Sequence, residues 1–190
     1  TLTLSGANTF TGNFTLNDGS LNVNSASALG AAPGTITING GLLDNTSGAD
    51  IVASSNKAQT WNADTLFVGT HSLDMGAGTV TLDGAEPQRS LTVSNGTLTV
   101  GELKGLSQGF IKNGPGTLVL TSTGAQGAAS VLGGALTVSA GTLQVNRSES
   151  DAAGSGDLTV ADLSGSGAIV NGSAVERWLL VNTTGSSTFN

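Results

Sequence analysis

The 190-residue sequence contains no cysteine, no tyrosine, three prolines and one histidine. Without cysteine there is no disulfide framework and no Cys-based zinc site. The single histidine, His71, excludes a two-His metal site. It reads as an exposed or capping residue rather than a triad member. Only 10% of residues are charged, against about 25% in ordinary soluble domains. Acidic residues outnumber basic ones 13 to 6, a formal net charge of -7. That balance argues against nucleic acid, whose binding rests on Lys and Arg, and against an anionic membrane surface. No apolar run approaches the ~20 residues of a membrane-spanning helix, so no direct membrane insertion of this segment is expected. No signal peptide precedes the first alternating run, Thr1-Leu2-Thr3-Leu4, so the chain reads as a fragment of something longer.

Gly, Thr, Ser and Asn fill the space left by charge, at 29, 25, 22 and 15 residues, or 91 of 190. All four are weak helix formers, and Thr with the aliphatics suits strands. Disorder is disfavoured because 37% of residues are hydrophobic and charge is sparse. One pattern recurs: a glycine followed by a short alternating run. It is seen at Gly19-Ser20-Leu21-Asn22-Val23, Gly34-Thr35-Ile36-Thr37-Ile38 and Gly78-Thr79-Val80-Thr81-Leu82. It recurs at Gly96-Thr97-Leu98-Thr99-Val100, Gly116-Thr117-Leu118-Val119-Leu120, Gly141-Thr142-Leu143-Gln144-Val145 and Gly156-Asp157-Leu158-Thr159-Val160.

The glycines advance by about 20 residues per step, a solenoid period. Each run alternates with period two, placing Leu98 and Val100 on one face and the threonines on the other. Such a short strand cannot bury its apolar face alone, whereas stacked coils line the aliphatics into one column. The expected fold is therefore all-β, a parallel β-helix of roughly nine coils over 1–190, a single repeat region. Leu98, Val100, Leu118, Leu120, Leu143 and Val145 are its expected core. Glycines supply the positive φ of corners, with Asn39-Gly40, Asp83-Gly84, Asn95-Gly96 and Asn113-Gly114 as turn pairs. A sandwich of hairpins competes, since Asn-Gly is also a hairpin signal, but it requires no 20-residue step. The rule lapses over 44–75, which is expected to leave the coil as an irregular excursion.

Ile111-Lys112-Asn113-Gly114-Pro115-Gly116-Thr117-Leu118-Val119-Leu120 resembles the autotransporter-associated β-strand repeat. So do Thr1 to Gly12 and Ala140 to Asn146. Leu163 to Gly167 and Gly185 to Phe189 are similar to the segment that precedes the next repeat. The resemblance implies a right-handed β-helix in the passenger region of a Gram-negative autotransporter or a related large surface protein. It also implies an extracellular or cell-surface location, with a stalk or secretion role and no catalytic residues to carry over.

Candidate chemistry is thin. Enzymes on β-helices need clustered carboxylates. Here Asp44, Asp50, Asp64, Asp74, Asp83 and Glu86 are scattered, although a 20-residue coil would set Asp44 beside Asp64, with Lys57 or Arg89 nearby. Solvated turn charges are the simpler reading. No catalytic, cofactor or metal residue is assigned. Ser148-Glu149-Ser150-Asp151 with Asp157 and Asp162 is too loose for the six to eight oxygens calcium takes. The pairs Thr1/Thr3, Thr35/Thr37, Thr79/Thr81 and Thr97/Thr99 would form an ice-binding hydroxyl ladder if they stacked on one face, but Thr117-Leu118-Val119 interrupts it. Trp61 and Trp178 are candidate sugar platforms, and Trp61, within the irregular stretch, is the candidate ligand contact. The expected function is a structural stalk or filament. Its partners would be other copies or adjoining repeats head to tail, and host or matrix glycans. An adhesin module is the alternative, and an enzyme the remote one.

Overall fold

In the computed structural model, residues 1–121, 130–146, 158–172, 179–181 and 188–189 are described. The strands begin with β1 (Leu2–Leu4), β2 (Phe14–Leu16), β3 (Ser20–Val23), β4 (Ile36–Ile38) and β5 (Leu42–Asp44). They continue with β6 (Ile51–Val52), β7 (Gln59–Trp61), β8 (Thr65–Phe67), β9 (Leu73–Asp74) and β10 (Val80–Leu82). Next come β11 (Gln88–Val93), β12 (Thr97–Val100), β13 (Leu103–Gly105), β14 (Gly109–Asn113) and β15 (Thr117–Leu120). The chain closes with β16 (Ser130–Val138), β17 (Thr142–Val145), β18 (Leu158–Gly165), β19 (Ala168–Asn171), β20 (Leu179–Val181) and β21 (Thr188–Phe189).

Every pairing among them is parallel, and the ladders define three faces. The first face stacks β1, β3, β5, β8, β11 and β14. The second stacks β2, β4, β7, β10 and β13, and β16 then turns the corner and serves both faces. The third stacks β6, β9, β12, β15, β17 and β19. This is a β-solenoid of about seven turns rather than nine. The coils are longer than the glycine step suggested. On the first face the register advances 19 residues from Leu2 to Leu21, 22 to Leu43, 24 to Phe67 and 26 to Val93. The second-face strands β2, β4, β7, β10 and β13 hold at three residues each while corners and first-face strands lengthen, and strand periodicity does not report corner length.

The interior is a set of aliphatic columns, as the alternation requires. Leu73, Leu98, Leu118 and Leu143 stack in register on the third face and are sealed from solvent. Val100 and Leu120 are equally buried, and Val145 packs against the core from a half-buried position. Corner glycines answer to two constraints. At Gly96 the backbone has φ +60°, which only glycine adopts without strain. Gly34 has no such φ, but an added Cβ there would strike the Gly12 carbonyl of the preceding coil. Close approach of coils, not a left-handed turn, keeps that position small.

The stretch 44–75 does not leave the coil. β5 to β9 carry the chain through it in regular parallel register. The glycine rule lapses because Ala58 precedes β7 and because β6 and β9 have only two residues each.

Outside the second face, amides stack along the axis. Asn39 Nδ2 donates to Asn17 Oδ1 at 2.8 Å, and Asn62 Nδ2 donates to Asn39 Oδ1 at 2.8 Å. Backbone bonds place Asp83 on the next rung, its amide reaching the Trp61 carbonyl as that of Asn62 reaches Ile38. An ionised carboxylate has no hydrogen to donate, and Asn62 Oδ1 is left buried without a partner. Asp83→Asn supplies the missing donor while keeping the Oδ1 that accepts the Gly84 amide. It should stabilise the fold by about 1 kcal/mol. Thermal unfolding checks this, and an unchanged or lower midpoint would show that the ladder does not extend to this rung.

Candidate functional site

The corner between the second and first faces changes abruptly. Three residues separate β2 from β3, β4 from β5 and β7 from β8. In the next coil five residues, 83–87, separate β10 from β11, and β11 begins three residues before Leu91, the register partner of Thr65. The extra chain stands out as a step, and against the shorter coil it leaves an open groove of about 640 Å³. It is lined by Asn62, Ala63 and Asp64 of one coil, residues 86–90 of the next and Ile111 of the coil beyond.

Arg89 sets the shape of the step. It shares inward parity with Leu91 and Val93 and is only 2% exposed. Its Nε donates to the Asp83 carbonyl at 2.6 Å and its Nη1 to the Gln88 carbonyl at 2.9 Å. The guanidinium thus ties the two ends of the loop together. Opposite it, Asp64 Oδ1 accepts the Ser90 amide at 2.8 Å, fastening one coil to the next. Asp64, Glu86 and Gln88 are exposed.

The structure brings Asp64, Glu86 and Arg89 to one groove but leaves the other candidates apart. Asp44 is not beside Asp64. It lies one residue past the Leu43–Phe67 pair, at the other end of the face, where it accepts the Thr70 amide and hydroxyl. Asp50 and Asp74 accept the Ser72 and Gly76 amides, so these acids serve turns. Lys57 is buried, donates to the Gly12 carbonyl at 3.2 Å and lies 5.0 Å above the Phe10 ring. His71 is half-buried.

Trp61, expected as a ligand contact, is a core residue. It is 1% exposed, donates from Nε1 to Gln59 Oε1 and lies 6.3 Å from the Phe110 ring. Strand parity turns Gln59 and Trp61 inward and Thr60 outward, so the indole offers no face to a sugar. Trp178, the Ser148–Asp151 run and Asp157 lie outside the described residues, while Asp162 accepts the Leu163 amide. Among the described residues no three metal-ligating side chains come together.

The threonine pairs do not form one platform. Thr15, Thr37, Thr60 and Thr81 stack on the second face until Lys104 ends the column. Thr97, Thr117 and Thr142 stack on the third until Ala168.

Residues 1–23 and 110–145 match the passenger-associated-transport-repeat family. Within both stretches the matching strands lie one turn apart in direct register: Leu2 on Leu21, and Leu118 on Leu143. The chain carries autotransporter passenger repeats. It is also 33% identical over 173 residues to the adhesin BmaC autotransporter of Brucella suis biovar 1 (strain 1330), covering 90% of this chain and 4% of that protein. The chain thus spans a small fraction of its relative's length. No solved structure gives a significant match. The first stretch covers β1 to β3, on the first and second faces, and the second covers β14 to β17, which reach the third face as well.

No helix among the described residues is long and apolar enough to cross a membrane. Sequence reasoning missed the 83–90 step. Its signal was the wide spacing between the Val80 and Leu91 strands, with Pro87 inside it.

Proposed function

We propose that this segment is a non-enzymatic stalk module of a passenger displayed on the surface of a Gram-negative bacterium. The observation that carries the reading is the continuous parallel ladder over an apolar interior, which repeats without a domain break across the described coils. The repeat match and the adhesin relative support display outside the cell. At ~4.8 Å per rung, seven turns give a rod on the order of 34 Å long. Duplicating the 190 residues in tandem should add that length at constant cross-section. Small-angle scattering checks it, and a particle that thickens instead of lengthening contradicts the stalk.

A further inference from the structure

The stepped groove has the chemistry of hydroxyl recognition. Asp64 is exposed and commits Oδ1 to the Ser90 amide, which restrains the carboxylate. Glu86 and Gln88 line the groove from the next coil and are exposed, and a carboxylate accepting from a hydroxyl makes a stronger bond than a neutral acceptor. Ala63, Pro87 and Ile111 add apolar surface to the same lining, suited to the C–H face of a sugar ring. The loop is preorganised, because Arg89 spends two donors inside it, on Asp83 and Gln88. A wall already ordered loses little entropy when a ligand binds. Two carboxylates against one guanidinium leave the groove net negative, in a chain of charge -7. A uronate or sulfate would meet like charge there.

We propose that this groove binds a neutral oligosaccharide. Asp64 and Glu86 accept its hydroxyls, Gln88 offers both donor and acceptor, and Pro87 and Ile111 lie against the ring. The proposal rests on the surface-display reading above. Whole-cell antibody labelling of the passenger tests display by itself, so the two can fail separately.

The test is retention of the 190-residue chain on an immobilised panel of oligosaccharides. The panel holds mannose-, galactose- and N-acetylglucosamine-containing neutral chains and uronate-containing chains. Retention is expected on neutral chains and not on uronates. Asp64→Asn, which keeps Oδ1 for Ser90, and Glu86→Gln should each weaken it roughly tenfold with unchanged melting. Thr99→Ala, on the third face, should change nothing. The proposal is overturned if no neutral chain retains the protein, if uronates are preferred, or if the double variant binds as well as wild type. Retention abolished by a chelator would likewise overturn it, by substituting a bridging cation for direct hydroxyl contact.

Discussion

Replacing Leu118 with Asp should cost roughly 3 kcal/mol or more and lower the unfolding midpoint by many degrees. Leu118 is fully buried between Leu98 on one coil and Leu143 on the next. A carboxylate there meets hydrocarbon above and below. It must stay charged without a partner or take up a proton at a cost of the same order. The damage is not confined to one coil. Each turn of a solenoid is held by its neighbours, so a weakened rung uncouples the turns on either side. Thr117→Asp is the matched control. Thr117 faces outward in the same strand and is half-buried, so its variant should lose far less. Calorimetry or far-UV melting of both variants decides the register. Equal losses, or an unaltered midpoint for Leu118→Asp, would mean that Leu118 does not face the core.

The strands and their inward residues were legible because alternation survives in nearly every coil. Leu98, Val100, Leu118, Leu120 and Leu143 follow from the two-residue period alone, and all are buried. The number of turns was not legible. It depends on corner length, which is three residues between β2 and β3 but five between β10 and β11 and carries no periodic signal. Trp61 was misread for a related reason. Its strand is Gln59-Thr60-Trp61, with a polar residue at one inward position and no glycine before it, so the rule that found the other strands passed over it. The buried cations were hidden by the general expectation that charge is solvated. Parity nonetheless marks two of them. Lys112 shares its side of the strand with Phe110, and Arg89 with Leu91. Each bonds to backbone carbonyls rather than to a carboxylate. Both are fasteners of corners, a role that a charge count does not reveal.

Lys112 gives the second large effect, and it is read in pH. Its Nζ is enclosed and donates to the carbonyls of Asn113 at 3.2 Å, Gly114 at 2.6 Å and Ala140 at 3.0 Å. Burial strips water from the ammonium and lowers its pKa from 10.5 to about 8. Between those two values the unfolded chain holds a proton that the folded chain has released. Unfolding then takes up a proton, so stability rises with pH across this window. The gain is complete above pH 10.5 and absent below pH 8, and a shift of this size corresponds to about 3 kcal/mol. The sequence is suited to the measurement. It has neither tyrosine nor cysteine, and only two other lysines. Denaturant melts at pH 7.5, 9 and 10.5 should show the midpoint climbing, with its slope against denaturant concentration unchanged. Lys112→Met removes the titrating group and should flatten the profile, whatever it does to absolute stability through the three carbonyls it leaves unpaired. A wild-type profile that is flat or falls between pH 8 and 10.5 would show that the three carbonyls hold the ammonium charged in the folded state as firmly as water does in the unfolded one.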